Sequence, residues 1–239
     1  VEARLERGPD QRLAGVSEAS IRPLRGPGGE VPRRVRRDAE GLALLGEDVS
    51  GPAAVSFERL HRIGRFETLA SAEAEGPALP REVRGRSANS GLEALALAPD
   101  GRLLALVEHP APGRGGSPAL WLHPDGAVTL TEIEAWGEDL RPVGADFGPD
   151  GRLYVVGRSY SPLGGFRYAI WRHAPRGHVL GPPELLLEAP GGDASDNAEG
   201  LAAWRDAAGR LRLTLVTDDN LNVMQRTLVI EYVLEEVSG

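Results

Sequence analysis

The chain contains neither cysteine nor lysine. Without cysteine there can be no disulfide, no zinc–thiolate centre and no thiol nucleophile. Without lysine there is no Schiff-base chemistry and no P-loop lysine. All 27 basic residues are therefore Arg. Ala, Gly, Arg and Pro, the residues of GC-rich codons, are abundant, so the missing lysine reads as genome composition. Aromatic residues are scarce, at 5%, and no basic stripe is interleaved with them. With a net charge of −8, a nucleic-acid partner is not expected. No apolar run approaches the roughly 18 residues of a membrane span. No secretory leader is recognisable, but a chain opening on Val leaves export open.

What is present points to β structure. The 239 residues suffice for one large all-β domain. The 31 Gly and 19 Pro cluster between short apolar runs, which marks a turn-rich β protein. A carboxylate recurs at a constant interval of 53 residues: Glu40, Glu93, Asp146 and Glu199. Three of them open an apolar run, as in Glu93-Ala94-Leu95-Ala96-Leu97, and Asp146 precedes Phe147 and a turn. A period of this size signals a repeat architecture.

The repeat is clearest at residues 93–133. Runs at 93–98, 102–108, 119–122 and 127–133 read as strands, separated by Pro99-Asp100-Gly101, a Gly/Pro-rich loop and Pro124-Asp125-Gly126. Four antiparallel strands in sequence make one propeller blade. Similar units begin at Glu40, near Asp146 and at Glu199. Residues 1–24 read as two strands only, the outer half of a blade whose inner half lies upstream. The expected fold is an all-β propeller of four-stranded antiparallel blades, five or six in number, as one domain over residues 1–239 that is incomplete at its N-terminus. Trp121, Trp171 and Trp204 fall in strands and are expected in inter-blade core, while Trp136 falls in a loop.

In a meander, the start of strand one lies beside the end of strand two. Glu40 should then sit near Glu58 and Arg59, and Glu93 near Glu108 and His109. Asp146 should face Arg158, and Glu199 should face Asp218, Asp219 and Asn220. Inner strands line the channel, so these groups should ring its mouth. Crowded like charges are costly unless paired or metal-bound. Arg37, Arg59, Arg158 and Arg226 could neutralise them, or a hard cation such as Ca²⁺ could sit among the oxygens. Carboxylates that only tie blades together are the structural alternative. The run Asp193-x-Ser195-x-Asn197-x-Glu199 opens like an EF-hand loop but has Ala198 where that loop needs Gly and Trp204 where it needs Glu. It reads as a solvated turn.

Other chemistry finds no support. There is no G-x-S-x-G elbow, since Gly157-Arg158-Ser159-Tyr160-Ser161 ends in Ser. Gly113-Arg114-Gly115-Gly116 precedes a strand and not a helix, so it is no phosphate cradle. No H-E-x-x-H is present, and the five His residues are scattered.

Several segments together resemble the bacterial phytase-like family, described by an esterase-like activity. They are residues 37–43, Ser56-Phe57-Glu58-Arg59 with His61-Arg62-Ile63, and Asn89-Ser90-Gly91-Leu92-Glu93-Ala94-Leu95. Ser159-x-Ser161-Pro162-Leu163, Asp196-Asn197-Ala198-Glu199-Gly200-Leu201 and Asp218-Asp219-Asn220 with Gln225-Arg226-Thr227 follow. The resemblance implies a β-propeller that is periplasmic or secreted. Departures are Gly157, where the family tends to have Glu, and Asp146 in place of Glu. Metal-dependent lactonase propellers are similar in having a Glu-Gly pair at an inner strand start.

With the repeat, the resemblance implies a metal-dependent hydrolase of phosphate or carboxylic esters acting on a small anionic or ester substrate. Glu40, Glu93, Glu199, Asp218 and Asp219 are the expected metal ligands, with Ca²⁺ as the cofactor and no organic one. Glu58 and Glu108 are the expected catalytic groups. Arg37, Arg59, Arg158, Arg226, Asn89 and Asn220 are expected to hold the substrate. A lactonase-like hydrolase and a non-catalytic propeller that binds a ligand or protein are the alternatives.

Overall fold

A computed structural model describes residues 1–88, 90–108, 116–134, 139–189, 196–223 and 225–235. Asn89, His109, Trp136 and residues 193–195 lie outside the described residues.

An N-terminal hairpin pairs β1 (Glu2–Arg7) with β2 (Leu13–Ser20). The first blade contains β3 (Ala39–Leu44), β4 (Ala53–Phe57), β5 (Arg62–Phe66) and the short β6 (Ala74–Glu75). The second contains β7 (Leu92–Leu97), β8 (Leu103–Val107), β9 (Gly116–Leu122) and β10 (Val128–Glu134). The third begins with β11 (Arg141–Phe147), β12 (Leu153–Ser161) and β13 (Gly165–His173). A two-stranded ribbon of β14 (Pro175–Arg176) and β15 (Val179–Leu180) intervenes before its outer strand, β16 (Glu184–Ala189). The fourth has β17 (Ala198–Arg205), β18 (Leu211–Thr217) and β19 (Val229–Leu234). Every pairing between these strands is antiparallel.

Among the described residues the ring therefore has four blades, not the five or six expected from the sequence. The larger number came from counting the N-terminal strands as half of another blade. That hairpin forms a sheet of its own, paired to no other strand. It is tied to the fourth blade by an ion pair from Arg7 to Glu231.

Turn chemistry sets the blade boundaries. In each Pro-Asp-Gly turn the Gly takes a positive φ: 84° at Gly101, 88° at Gly126 and 75° at Gly151. A Cβ would oppose this conformation. The Asp side chains accept from the backbone two residues on, as Asp125 does from Ala127 at 3.0 Å. Between the turns, apolar faces pack blade against blade. The second and third blades share Leu104, Trp121, Phe147, Val155 and Trp171, with Trp121 fully buried. Each such aliphatic side chain contributes about 1.5–3 kcal/mol. The third and fourth share Tyr154, Val156, Leu213 and Leu215.

The inner strands β3, β7, β11 and β17 each carry a β-bulge at their start. The register slips between Leu92 and Ala94 in β7, between Pro142 and Gly144 in β11, and between Ala198 and Gly200 in β17. In β3 it slips between Ala39 and Leu42. The residues set out of the ladder are thus Glu40 with Gly41, Glu93, Val143 and Glu199. The structural equivalent of Glu93 in the third blade is Val143, not Asp146. Asp146 lies deeper in β11, opposite Tyr154, and Arg158 is opposite Arg141. The expected facing of Asp146 and Arg158 is therefore incorrect. Asp146 instead accepts the Ala203 N–H at 2.9 Å and pins the third blade to the fourth.

Candidate functional site

Bulges re-aim side chains, and here three of the four carry Glu at one mouth of the ring. Glu93 stands at the start of β7 and is 7% exposed. Glu58 follows β4 and is also 7% exposed. Glu108 follows β8 and is half-buried. Carboxylate oxygens of these three lie within 4.8 Å of one another. Glu40, on β3, adds a fourth charge that acts on Glu93.

Gly91 builds the cluster. Its N–H donates to the Glu58 carboxylate at 2.6 Å, and its carbonyl accepts the Glu108 N–H at 3.2 Å. A Cβ at Gly91 would lie 2.7 Å from His61 Nδ1 and 3.0 Å from Glu58 Cγ. His61 is buried, with Nε2 3.0 Å from the Ser87 carbonyl. Ser56 performs the same task on the inner side. It accepts the Gly41 N–H at 2.8 Å and donates to the Leu92 carbonyl at 2.9 Å, joining the first blade to the second.

Burial is the largest cause of every raised carboxyl pKa at this mouth. Glu40 is pushed up to about 8 by burial and then by the charges of Glu58 and Asp38. Glu108 is pushed up to about 6, with burial and Glu58 opposed by Arg158 and Arg141. Glu93 is raised well above the carboxylate range by burial, then by Glu40, Glu108 and Glu58. Glu199 is raised by burial although Arg158 works against it. Such a group holds its proton or finds a cation. Oxygen donors alone suit a hard divalent ion such as Ca²⁺ or Mg²⁺.

The other expected residues fall in different settings. Glu199 is engaged by Arg158, which also binds Asn197, and Asn197 Nδ2 donates to Glu199 at 2.8 Å. Asp218 and Asp219 cap their own turn, accepting from Asn220 N at 3.2 Å and Leu221 N at 2.8 Å. Asn220 donates to Gln225 at 3.0 Å. Arg59 pairs with Asp38, and Arg226 with Asp196. Arg37 is exposed beyond the short turn Arg34–Arg36.

Beside Glu108, a pocket of about 790 Å³ includes Arg141, Arg158, Arg167, Tyr160 and Phe166 in its lining. Of these only Arg158 was expected. Arg141 was missed because that unit was expected to begin at Asp146 and not at Arg141, and Arg167 because it lies within β13, opposite Ser159. Arg86, whose guanidinium pKa burial lowers and Glu108 raises, follows the short helix Arg81–Arg84 and so lies outside any reading based on strands.

Fold and site together define a β-propeller with an acid-lined channel mouth and an adjoining Arg-rich pocket. The model of the family described as "Phytase-like: Esterase-like activity of phytase" matches residues 1–221, and the chain belongs to that family. No curated protein matches it. Among solved structures it is similar to hydrazine synthase of Kuenenia stuttgartiensis, at 15% identity and TM-score 0.44, over 91% of this chain and 70% of that one. A Bacteroides caccae protein of unknown function matches at 14% identity and TM-score 0.44, over 92% of this chain and 65% of that one. The endo-arabinase of Bacteroides thetaiotaomicron matches at 16% identity and TM-score 0.47, over 81% of this chain and 80% of that one. The chain thus spans just under two thirds of the second of these. Likeness of this order carries no information about chemistry. Among the described residues, no helix is long and apolar enough to cross a membrane.

Proposed function

We propose that the protein is a metal-dependent hydrolase of small anionic phosphate or carboxylic esters. One observation carries this: three carboxylates, two of them buried, lie within 4.8 Å of one another. Glu58 and Glu93 would hold the cation, with Glu40 near enough for its charge to act on Glu93. A divalent ion there would supply Lewis acidity toward the ester oxygen and toward water. Glu108 faces both the cluster and the pocket. With its carboxyl pushed up to about 6, it is a base poised near neutral pH. It takes a proton from water as the water oxygen bonds to phosphorus or the carbonyl carbon, and the alcohol leaves with its oxygen. Arg158 and Arg141 receive the anionic part of the substrate. Family membership supports the reaction class, through its esterase-like description.

Calcium tests this directly. At a hundredfold excess over its dissociation constant, bound calcium stabilises the fold by about 2.7 kcal/mol. For a chain of this size that is a melting-temperature rise of roughly 5–10 °C. Turnover of p-nitrophenyl phosphate or p-nitrophenyl acetate should require the ion. No shift and no turnover with calcium, magnesium or manganese would reject the proposal.

A further inference from the structure

The Arg-rich pocket has a chemical character that the acid cluster does not explain. Its long wall is the β12–β13 hairpin, where Ser159 pairs with Arg167 and Tyr160 with Phe166. The Tyr160 and Phe166 rings lie 4.9 Å apart, tilted by 49°. The Arg158 guanidinium is 5.7 Å from the Phe166 ring centre. Tyr160 is 63% exposed and is the only exposed Phe, Tyr or Trp among the described residues. In a chain with so few aromatics, an exposed ring beside a polar pocket is unlike the rest of the surface.

The cations of the pocket are held in place. Arg167 Nε donates to Ser159 Oγ at 2.8 Å, and Arg158 is fixed by Asn197 and Glu199. Arg141 comes from the neighbouring strand, at the register position of Arg158. Glu108 and Asp139 also line the space. Two carboxylates would repel a ligand charged over its whole surface. A single anionic group met by the Arg cluster, with a flat uncharged body against Tyr160 and Phe166, suits this lining.

We propose that this pocket selects phosphate monoesters whose alcohol carries a planar ring, the phosphate toward Arg141 and Arg158 and the ring toward Tyr160 and Phe166. The proposal rests on the hydrolase reading for the fate of the ligand but not for its binding. A densely phosphorylated polyol is then a poor ligand, although the family's name mentions phytase.

Binding is measured by calorimetry with chelator present, so that no cation contributes. Phenyl phosphate should bind at least tenfold tighter than methyl phosphate, phenol or inositol hexakisphosphate. Tyr160→Ala should remove that tenfold advantage while leaving methyl phosphate unchanged, and because Tyr160 is largely exposed the variant keeps its fold. Arg141→Gln should weaken phenyl phosphate and leave phenol unaffected. Equal affinity for phenyl and methyl phosphate, tightest binding of inositol hexakisphosphate, or an unchanged preference in Tyr160→Ala would each overturn the proposal. Selective binding of phenyl phosphate without turnover when calcium is added would leave this subsite standing and reject the hydrolase reading instead.

Discussion

Two groups of buried carboxylates in this propeller are treated in opposite ways. At the seam between the N-terminal hairpin and the fourth blade, Asp206 and Glu231 are each met by Arg. Arg212 donates to Asp206 at 2.8 Å and to Glu231 at 3.3 Å. Arg210 adds a bond to Asp206 at 2.9 Å, and Arg7 pairs with Glu231 while its guanidinium lies 4.6 Å from the Trp204 ring centre. At the channel mouth, Glu58 and Glu93 are as deeply buried, yet their near neighbours are other acids. The pKa directions reverse accordingly. For Asp206, burial raises the pKa, but bonds from Arg212 and Arg210 overcome it and hold it well below the carboxylate range. Glu231 is lowered, chiefly by Arg7. The protein can neutralise buried acids with its plentiful Arg and does so at the seam. At the mouth it gathers acids beside one another, the arrangement on which the proposed cation site rests.

The largest expected effect breaks the seam. Arg212→Ala leaves Asp206 and Glu231 short of a buried partner and should lower stability by about 3–5 kcal/mol. The drop should be readable in urea or thermal melts, with the calcium shift retained in the folded fraction. Loss of the calcium shift at unchanged stability would reverse the roles assigned to the two regions.

Next comes pH, where the two clusters carry opposite signs. The mouth carboxyls have folded values raised above the unfolded one, so their contribution is intact below about pH 4.5 and is lost as pH rises through about 6 for Glu108 and about 8 for Glu40. The seam carboxyls have lowered values, so theirs is intact above the unfolded value and is lost as pH falls through the folded one. Metal-free protein should therefore melt at its highest temperature near pH 5 and lose stability on both sides. Calcium should restore the alkaline limb only. Glu93→Gln should flatten that limb without calcium and abolish the calcium response. A calcium response that persists in Glu93→Gln excludes Glu93 as a ligand.

Gly91→Ala should be smaller, costing about 1–3 kcal/mol through overpacking against His61 and Glu58. It should weaken the calcium shift more than it weakens the fold. The smallest change is expected for Asp219→Asn, whose carboxylate caps a surface turn. Melts should move by no more than about 0.5 kcal/mol, with the calcium shift unaltered. A lost shift there would return Asp219 to the metal site.

The blades could be read from the sequence because their turns are chemically explicit. Pro-Asp-Gly states a φ and a side-chain bond at once, and 99–101, 124–126 and 149–151 each deliver both. Placing Glu108 beside Glu93 also needed only the rule that strand two returns to the start of strand one, whereas Glu58, expected beside Glu40, reaches Glu93 through the packing of the first blade on the second. The 53-residue interval misled at Asp146 because insertions compensate across the third blade. The step from Glu93 to its true equivalent, Val143, is three residues short of that interval, and the step from Val143 to Glu199 is three residues long. A period counted in sequence cannot register a bulge that moves and a loop that lengthens in opposite directions. Arg167 was invisible for a related reason: its meaning comes from cross-strand register, which spacing alone does not show.

The bulges give the ring an adjustable character. A residue extruded from the ladder leaves the pairing of its strand intact on either side, so its identity decides where it goes without disturbing the sheet. Of positions 40, 93, 143 and 199, the three acids stand at the mouth and feel one another's charge, while the valine joins the core between the third and fourth blades. The charge facing the channel can thus be altered at a bulge without rebuilding a strand, and Val143 shows that the same scaffold accepts an apolar side chain there.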